Sequence, residues 1–268
     1  MGQTVSIIVP IHEKPKEVLE EVQLGLESQG EEIDQLIVVM DRVPADPVIS
    51  DDDVTQGWLE DGFGLDLIDY PQAISIKLDG SPGWRSPCIA ANAGLKEITG
   101  EITIYNPSDI VQAPGNIAFI KDQMATHPAV YFAKVLESKP EECMGPGHAG
   151  PVLCSSDNPR PLTFLFAAPT EAMRSIGGWD EAFQDGVCYE DDDLTARLWK
   201  HGLDFIFDDR FNGIHQSHSR AYFKPIPMSI NQAHMLRKHG TLRVYDRERA
   251  AGRLVIEREM GRTIFRHA

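Results

Sequence analysis

The apolar positions of the first half of the chain fall into short blocks that alternate between two periods. VSIIV (Val5 to Val9) is a continuous apolar run closed by Pro10, the pattern of a strand buried on both faces. From Lys16 to Ser28 the spacing of Val18, Leu19, Val22, Leu24 and Leu26 predicts a helix. LIVVM (Leu36 to Met40) is a second strand ending at Asp41, and Leu65 to Tyr70 reads as a third, after an acidic, Pro-containing loop from Pro44 to Asp53. Ser86 to Thr99 is an Ala-rich helix stopped by Gly100. Ile102 to Tyr105 is a fourth strand, followed by the turn residues Asn106-Pro107-Ser108-Asp109.

The second half is less regular. Ile117 to Thr126 reads as helix, Val130 to Val135 as extended, and Phe205 to Phe207 as a short strand. The Pro-, Gly- and Ser-rich stretch from Glu137 to Pro161 reads as a mobile loop near the site. Gly177-Gly178-Trp179-Asp180 is a turn. Glu190 to His201 is a helix with Gly202 as its stop. Strands separated by helices imply right-handed crossovers, so the fold class is α/β, a mainly parallel mixed sheet flanked by helices. In such sheets ligands bind beyond the carboxyl ends of the strands, where Asp41 and Asp109 stand.

Charge changes the picture at one end. The net charge is −16, which disfavours nucleic acid as a partner. From Ser219 onward, however, there are 11 Lys and Arg against 4 Asp and Glu. Within this basic tail, Arg247 to Arg262 carries Leu254, Val255, Ile256 and Met260 and is expected to form an amphipathic helix. Its apolar face is expected to pack on the protein or on a second subunit, so a homo-oligomer stays open. Four cysteines (Cys88, Cys143, Cys154, Cys188) form no C-x-x-C pair, which points to a reducing, cytoplasmic setting rather than a disulfide scaffold. No signal peptide or membrane-spanning run is expected. No G-x-G-x-x-G, P-loop or G-x-S-x-G pattern occurs.

Two segments carry the chemistry. Four consecutive carboxylates, Glu190 to Asp193, open a helix. Capping and the helix dipole favour acids there by roughly 0.3–1 kcal/mol each, but four exceed what capping needs. Crowding raises a carboxylate's pKa toward the range of a general base. Arg197 follows at the i, i+4 position from Asp193.

Together with VSIIVPIHE, LIVVMD, Ala91-Asn92-Ala93-Gly94, GEITIYNPSD and IGGWDEAF, the segment YEDDDLTARLWKHG resembles the family 2 glycosyltransferases and their relatives with the GT-A, nucleotide-diphospho-sugar transferase fold. The resemblance runs from Val5 to about Ser219. It implies a GT-A-like domain over residues 1–218, with a nucleotide-binding half to about 110 and an acceptor half from 111. Residues 219–268 then form a basic helical extension. The implied activity is transfer of a sugar from a nucleoside-diphosphate sugar, UDP favoured, to an acceptor that is glycan, lipid-linked, protein or small molecule. Inversion is expected, with Asp191 as base and Glu190 and Asp193 beside it. The resemblance places Pro10, His12, Glu13, Asp41, Arg85, Asn92 and Asn106 at the donor.

It also implies a divalent cation, Mn²⁺ or Mg²⁺. Here the chain departs from the family. An Asp-x-Asp turn is expected, yet Asn106, Ser108 and Asp109 take its places, leaving Asp109 with His215 (or His218) as ligands. A degenerate fold that binds a sugar nucleotide or glycan without turnover is the alternative outside enzymes. A nucleotidyltransferase is the alternative within them, though Pro10 to Lys16 is a poor phosphate loop.

Overall fold

The computed structural model describes residues 2–12, 16–41, 73–78, 85–139, 151–217 and 227–268. Within them the chain runs β1 (Val5–Ile11), α1 (Lys16–Glu27), β2 (Gln35–Asp41), β3 (Ala73–Leu78), α2 (Cys88–Glu97), β4 (Ile102–Tyr105), β5 (Ile110–Gln112) and α3 (Asn116–Thr126). It continues with β6 (Val130–Glu137), β7 (Val152–Cys154), β8 (Phe166–Pro169), α4 (Thr170–Ser175), α5 (Glu190–Lys200) and β9 (Phe205–His215). The tail adds α6 (Met228–His239), α7 (Val244–Ala250), β10 (Leu254–Glu259) and β11 (Arg262–His267).

One sheet joins them in the order β3-β2-β1-β4-β8-β6-β9-β11-β10, with β5 beside β9 and β7 beside β6. β1 pairs in parallel with β2 and β4, β2 with β3, and β6 with β9. β8 runs antiparallel between β4 and β6, and β11 antiparallel between β9 and β10. Along that order all strands except β8 and β11 therefore point the same way, while β5 and β7 run antiparallel to β9 and β6. The mainly parallel mixed sheet is as expected.

Both faces are covered, which is why β1 and β2 read as unbroken apolar runs. Val5, Ile7, Val9 and Ile11, with Leu36, Val38 and Met40, enter one core beside Leu19 and Leu26 of α1 and Ile117 and Ile120 of α3. Ile8, Ile37 and Val39 enter the other, beside Ala91 and Leu95 of α2 and Leu194 and Leu198 of α5. The period of two thus sends neighbours to opposite cores.

Several boundaries differ from expectation. Pro10 does not close β1; it pairs with Val39 inside it. The Ile8 carbonyl accepts from Asn106 N–H on the β4 side, and Pro10, two residues on, faces that same side. β4 pairs with β1 only as far as Ile8, so no ladder bond is lost at the missing N–H. The expected strand Leu65 to Tyr70 and loop Pro44 to Asp53 lie outside the described residues. β3 is Ala73–Leu78 instead, a strand whose alternating half-exposed pattern marks a sheet edge. Part of the expected Glu137 to Pro161 loop is strand β7, and residues 140–150 are outside the described set. β9 runs to His215, well beyond Phe207.

The largest correction is the tail. Residues 254–267 are a β-hairpin, not a helix. Gly252 and Gly261 take left-handed conformations (φ 69° and 72°), which ends α7 before Arg253 and turns the hairpin. β11 then pairs with the β9 residues Phe205 to Asp208, so tail and body share one sheet.

Candidate active site

The carboxyl ends of β1, β2, β4, β6 and β9 share one edge, and most of the polar residues singled out above gather there. At the end of β2, Asp41 is almost fully buried and receives both arms of Arg85, Nε to Oδ2 at 2.7 Å and Nη2 to Oδ1 at 2.6 Å. A bidentate, charge-assisted pair of this kind fixes the guanidinium plane. His12, just past β1, has its Nδ1 at 3.1 Å from the Asp41 carbonyl. His12, Asp41 and Arg85 therefore come together. Glu13 lies outside the described residues.

Two expected donor residues are buried. Pro10 is buried within β1. Asn92 spends its amide inside the protein. Its Nδ2 donates to the Trp179 carbonyl (2.8 Å) and to Glu181 Oε1 (2.9 Å), and its Oδ1 accepts from Trp179 N–H (2.8 Å). It pins the Gly177-Gly178-Trp179 turn, where Gly178 adopts φ 66° and a Cβ would stand 2.4 Å from Asn92 Oδ1. Trp179 then packs on Tyr105 at a ring separation of 4.9 Å.

Beyond β4, Asn106 is fully buried and bridges its own turn, donating from Nδ2 to the carbonyls of Pro107 (2.8 Å) and Ile110 (3.0 Å). Its role is to shape the turn that presents Asp109. Asp109 Oδ2 stands 3.6 Å from His215 Nε2, and the other ring nitrogen, Nδ1, lies 2.7 Å from Glu137 Oε1. Burial alone would lower the His215 pKa, but Asp109 first and Glu137 next outweigh it and hold it up at about 9. Glu137 is a member the sequence reading missed. Its signal was its place, a carboxylate at the last residue of a strand, as Asp41 is. His218 lies outside the described residues.

The acidic run opens α5 at the same edge. Cys188 (φ 66°) and Tyr189 (φ 69°) precede it, two successive non-glycine residues in the left-handed region, each costing of order 1–3 kcal/mol. Asp191 Oδ1 accepts a hydrogen bond from the Thr163 hydroxyl. Thr163 lies in an irregular segment whose sequence carried no signal. Burial raises the Asp191 pKa, partly offset by Thr163 and by the Arg160 charge. Burial and then the Asp191 charge raise Glu190 above the ordinary carboxylate range, and the same two causes push Asp192 up to about 7. The buried Tyr105 hydroxyl at the end of β4 has its pKa raised, by burial and then by the charges of Asp191, Cys88, Glu190 and Asp109.

Asp193 belongs elsewhere. It is fully buried and surrounded by Arg197 Nε (2.7 Å), Lys238 Nζ (2.8 Å) and His239 Nε2 (2.8 Å). Burial would raise its pKa, yet the His239 hydrogen bond, Arg197 and Lys238 together bring it down to about 2. The expected i, i+4 pair with Arg197 is present, and Arg197 also donates to the carbonyls of Ile176 (2.9 Å) and Gly178 (2.6 Å). Asp193 is thus spent inside the protein as an anchor of α5.

No family model matches the chain, and no curated protein does. Solved structures do. The structure of S. aureus TarS 1–349 in complex with UDP-GlcNAc has a TM-score of 0.62 at 14% identity, over 84% of this chain and 61% of that one. A structure of S. aureus TarS 1–349 gives 0.55 at 16% identity, over 82% of this chain and 59% of that one. GalNAc-T7 with UDP, GalNAc and Mn²⁺ gives 0.63 at 12% identity, over 88% of this chain and 48% of that one. The chain therefore spans about half to three-fifths of the length of these proteins. At such identities the likeness shows the fold, which is GT-A-like. Among the described residues no group of three or more His, Cys, Asp or Glu side chains could hold a metal ion. Nor is any helix among them long and apolar enough to cross a membrane.

The anchoring role of Asp193 has a direct consequence. Asp193→Ala leaves three cationic or hydrogen-bonding partners without their carboxylate, and breaking a buried pair in this way costs roughly 3–5 kcal/mol. Urea unfolding of the variant should show that loss at neutral pH. The Asp193 pKa is lowered on folding, so this contribution is present above the ordinary carboxylate pKa and lost as pH falls toward 2. The wild-type advantage over the variant should shrink across that window.

Proposed function

We propose that this chain is a glycosyltransferase that passes a sugar from a nucleoside-diphosphate sugar to an acceptor hydroxyl with inversion, Asp191 acting as general base. The observation that carries the reading is the half-buried Asp191 carboxylate, oriented by Thr163 at the same sheet edge as the Asp41–Arg85 pair and the Asp109–His215–Glu137 group. UDP-sugars are the favoured donors, supported by the UDP-GlcNAc and the UDP in the two structural neighbours. The acceptor class stays open among glycan, lipid-linked, protein and small-molecule hydroxyls.

The chemistry needs three things from the chain. A base must take the acceptor's proton as its oxygen attacks the anomeric carbon. The bond from that carbon to the diphosphate oxygen then breaks, and the diphosphate leaves with the electron pair. Asp191 takes the proton; burial keeps its basicity above that of a free carboxylate while Thr163 holds one oxygen in place. The nucleoside lies over the ends of β1 and β2, where Arg85, locked by Asp41, offers a fixed cationic face toward base or diphosphate.

The third need is positive charge on the leaving diphosphate. Asp109 and His215 fit half of a cation site, with Glu137 as the outer carboxylate that orients the imidazole, as carboxylates commonly do for ligating histidines. A divalent cation held there with donor oxygens would supply Lewis-acid stabilisation of the departing charge. Asn106 is turned inward to its own loop and adds little to such a site. The domain reading that fits is a GT-A-like body completed by the tail, which ties α5 down through Lys238 and His239. The short ligand set is also what favours the second reading, a sugar-nucleotide binder without turnover.

Two measurements bear on this. Asp191→Asn should keep donor affinity by calorimetry and lower turnover by roughly 10²–10⁴-fold. The base works ionised, so wild-type turnover should fall as pH drops through the raised Asp191 pKa. Near-normal turnover in Asp191→Asn contradicts the assignment. For the cation, electron paramagnetic resonance of Mn²⁺ should show negligible binding to the free protein and clear binding once UDP is present. His215→Ala should weaken that second step more than His218→Ala. Full activity after exhaustive chelation would mean that side chains such as Arg85 neutralise the diphosphate.

A further inference from the structure

The segment between Phe183 and Glu190 is short, and its last two residues before α5 are both left-handed, Cys188 and Tyr189. Neither is glycine, so the surrounding structure must impose the turn. The imposing group comes from the tail. Asn231 of α6 is fully buried, and its Nδ2 donates to the Phe183 carbonyl at 2.9 Å and to the Cys188 carbonyl at 2.8 Å. Both amide hydrogens are used, one at each end of the segment.

Gly186, between them, makes room for this side chain. A Cβ there would stand 2.4 Å from Asn231 Oδ1 and 2.5 Å from its Cγ. Gly186 is not left-handed, so the requirement for glycine is steric and points at Asn231 alone. Helix α6 is itself secured at its far end by Lys238 and His239 on Asp193 and by Lys238 on Asp180 (2.6 Å). The clamp therefore rests on a fixed base.

We infer that Asn231 is a positioning residue for the catalytic end of α5: by holding the Phe183 and Cys188 carbonyls it locks the left-handed turn that sets Glu190 and Asp191 at the sheet edge. Its catalytic consequence rests on the reading of Asp191 as base, whereas the clamp itself does not. The basic tail, which resembles nothing in the glycosyltransferase pattern, is then part of the active-site framework.

The experiment uses the full chain with Asn231→Ala, Gly186→Ala and the double variant. Gly186→Ala pushes the Asn231 side chain away without removing it, so it serves if Asn231→Ala fails to fold. Two readouts are taken on variants with an intact circular dichroism spectrum. The first is the rate of Cys188 alkylation by N-ethylmaleimide, followed by peptide mass spectrometry; Cys188 is exposed and sits in the turn. The second is kcat and KM for hydrolysis of whichever donor in a panel of UDP-, GDP- and dTDP-sugars the wild type turns over.

Each single variant should raise the alkylation rate at least threefold and lower kcat at least tenfold, with KM within threefold of wild type. The double variant should be no worse than the poorer single, because both changes break the same contact. Unchanged alkylation in both singles overturns the clamp. Raised alkylation with kcat intact, or losses that multiply in the double variant, overturns the positioning role. If the wild type turns over no donor, the sugar-transfer reading fails by itself. The alkylation rates still decide the clamp, a rise upholding it and no rise overturning it.

Discussion

The buried charge of Asp193 organises the rest of the site. Its carboxylate meets Arg197 of its own helix and Lys238 and His239 of α6. Arg197 in turn reaches the carbonyls of Ile176 and Gly178, next to the Trp179 that Asn92 holds. One ionised group thus fastens α5, the Gly177-Gly178-Trp179 turn and the tail helix to each other. Taking such a charge out of water is costly unless it is fully paired, so its three partners are obligatory rather than decorative. With the helix fixed at its fourth carboxylate, the first three are left at the sheet edge, where burial and mutual repulsion keep the proton affinity of Glu190 and Asp192 high.

The same division of labour recurs along the edge. Asp41 is spent on Arg85, Glu137 on His215, and Thr163 on Asp191. In each case one side chain holds a second in a fixed orientation. An edge built this way presents prearranged charge to a ligand at little further ordering cost, the property that makes electrostatic stabilisation of a leaving group effective.

Much of this was legible in the sequence because strands buried on both faces announce themselves as apolar runs with a polar residue at the end. Asp41 and Asp109 were found by that rule, and the acidic start of α5 by its run of four carboxylates. His215 came from the resemblance, and the structure sets it beside Asp109. What escaped has physical reasons. Thr163 and Asn231 act through single hydrogen bonds between segments far apart in the chain, which leave no local pattern. Asn92 and Asp193 carry the residue types of a ligand site, but packing turned them inward. The hairpin of 254–267 was read as helix because Leu254, Val255 and Ile256 are adjacent and fit either period. The left-handed Gly252 and Gly261 and pairing with β9 decide the matter, and the second of these is a tertiary effect.

If Asp191 is the base, the edge that holds it performs a single displacement at an anomeric carbon. The most direct measurement is proton NMR of the sugar released when the protein is incubated with α-configured UDP-sugars, recorded before the anomers interconvert. A single displacement with Asp191 as base predicts that the first sugar to appear is the β anomer. Initial release of the α anomer would contradict inversion. Absence of both release and binding with every sugar nucleotide tried would contradict the assignment of this edge to glycosyl transfer altogether.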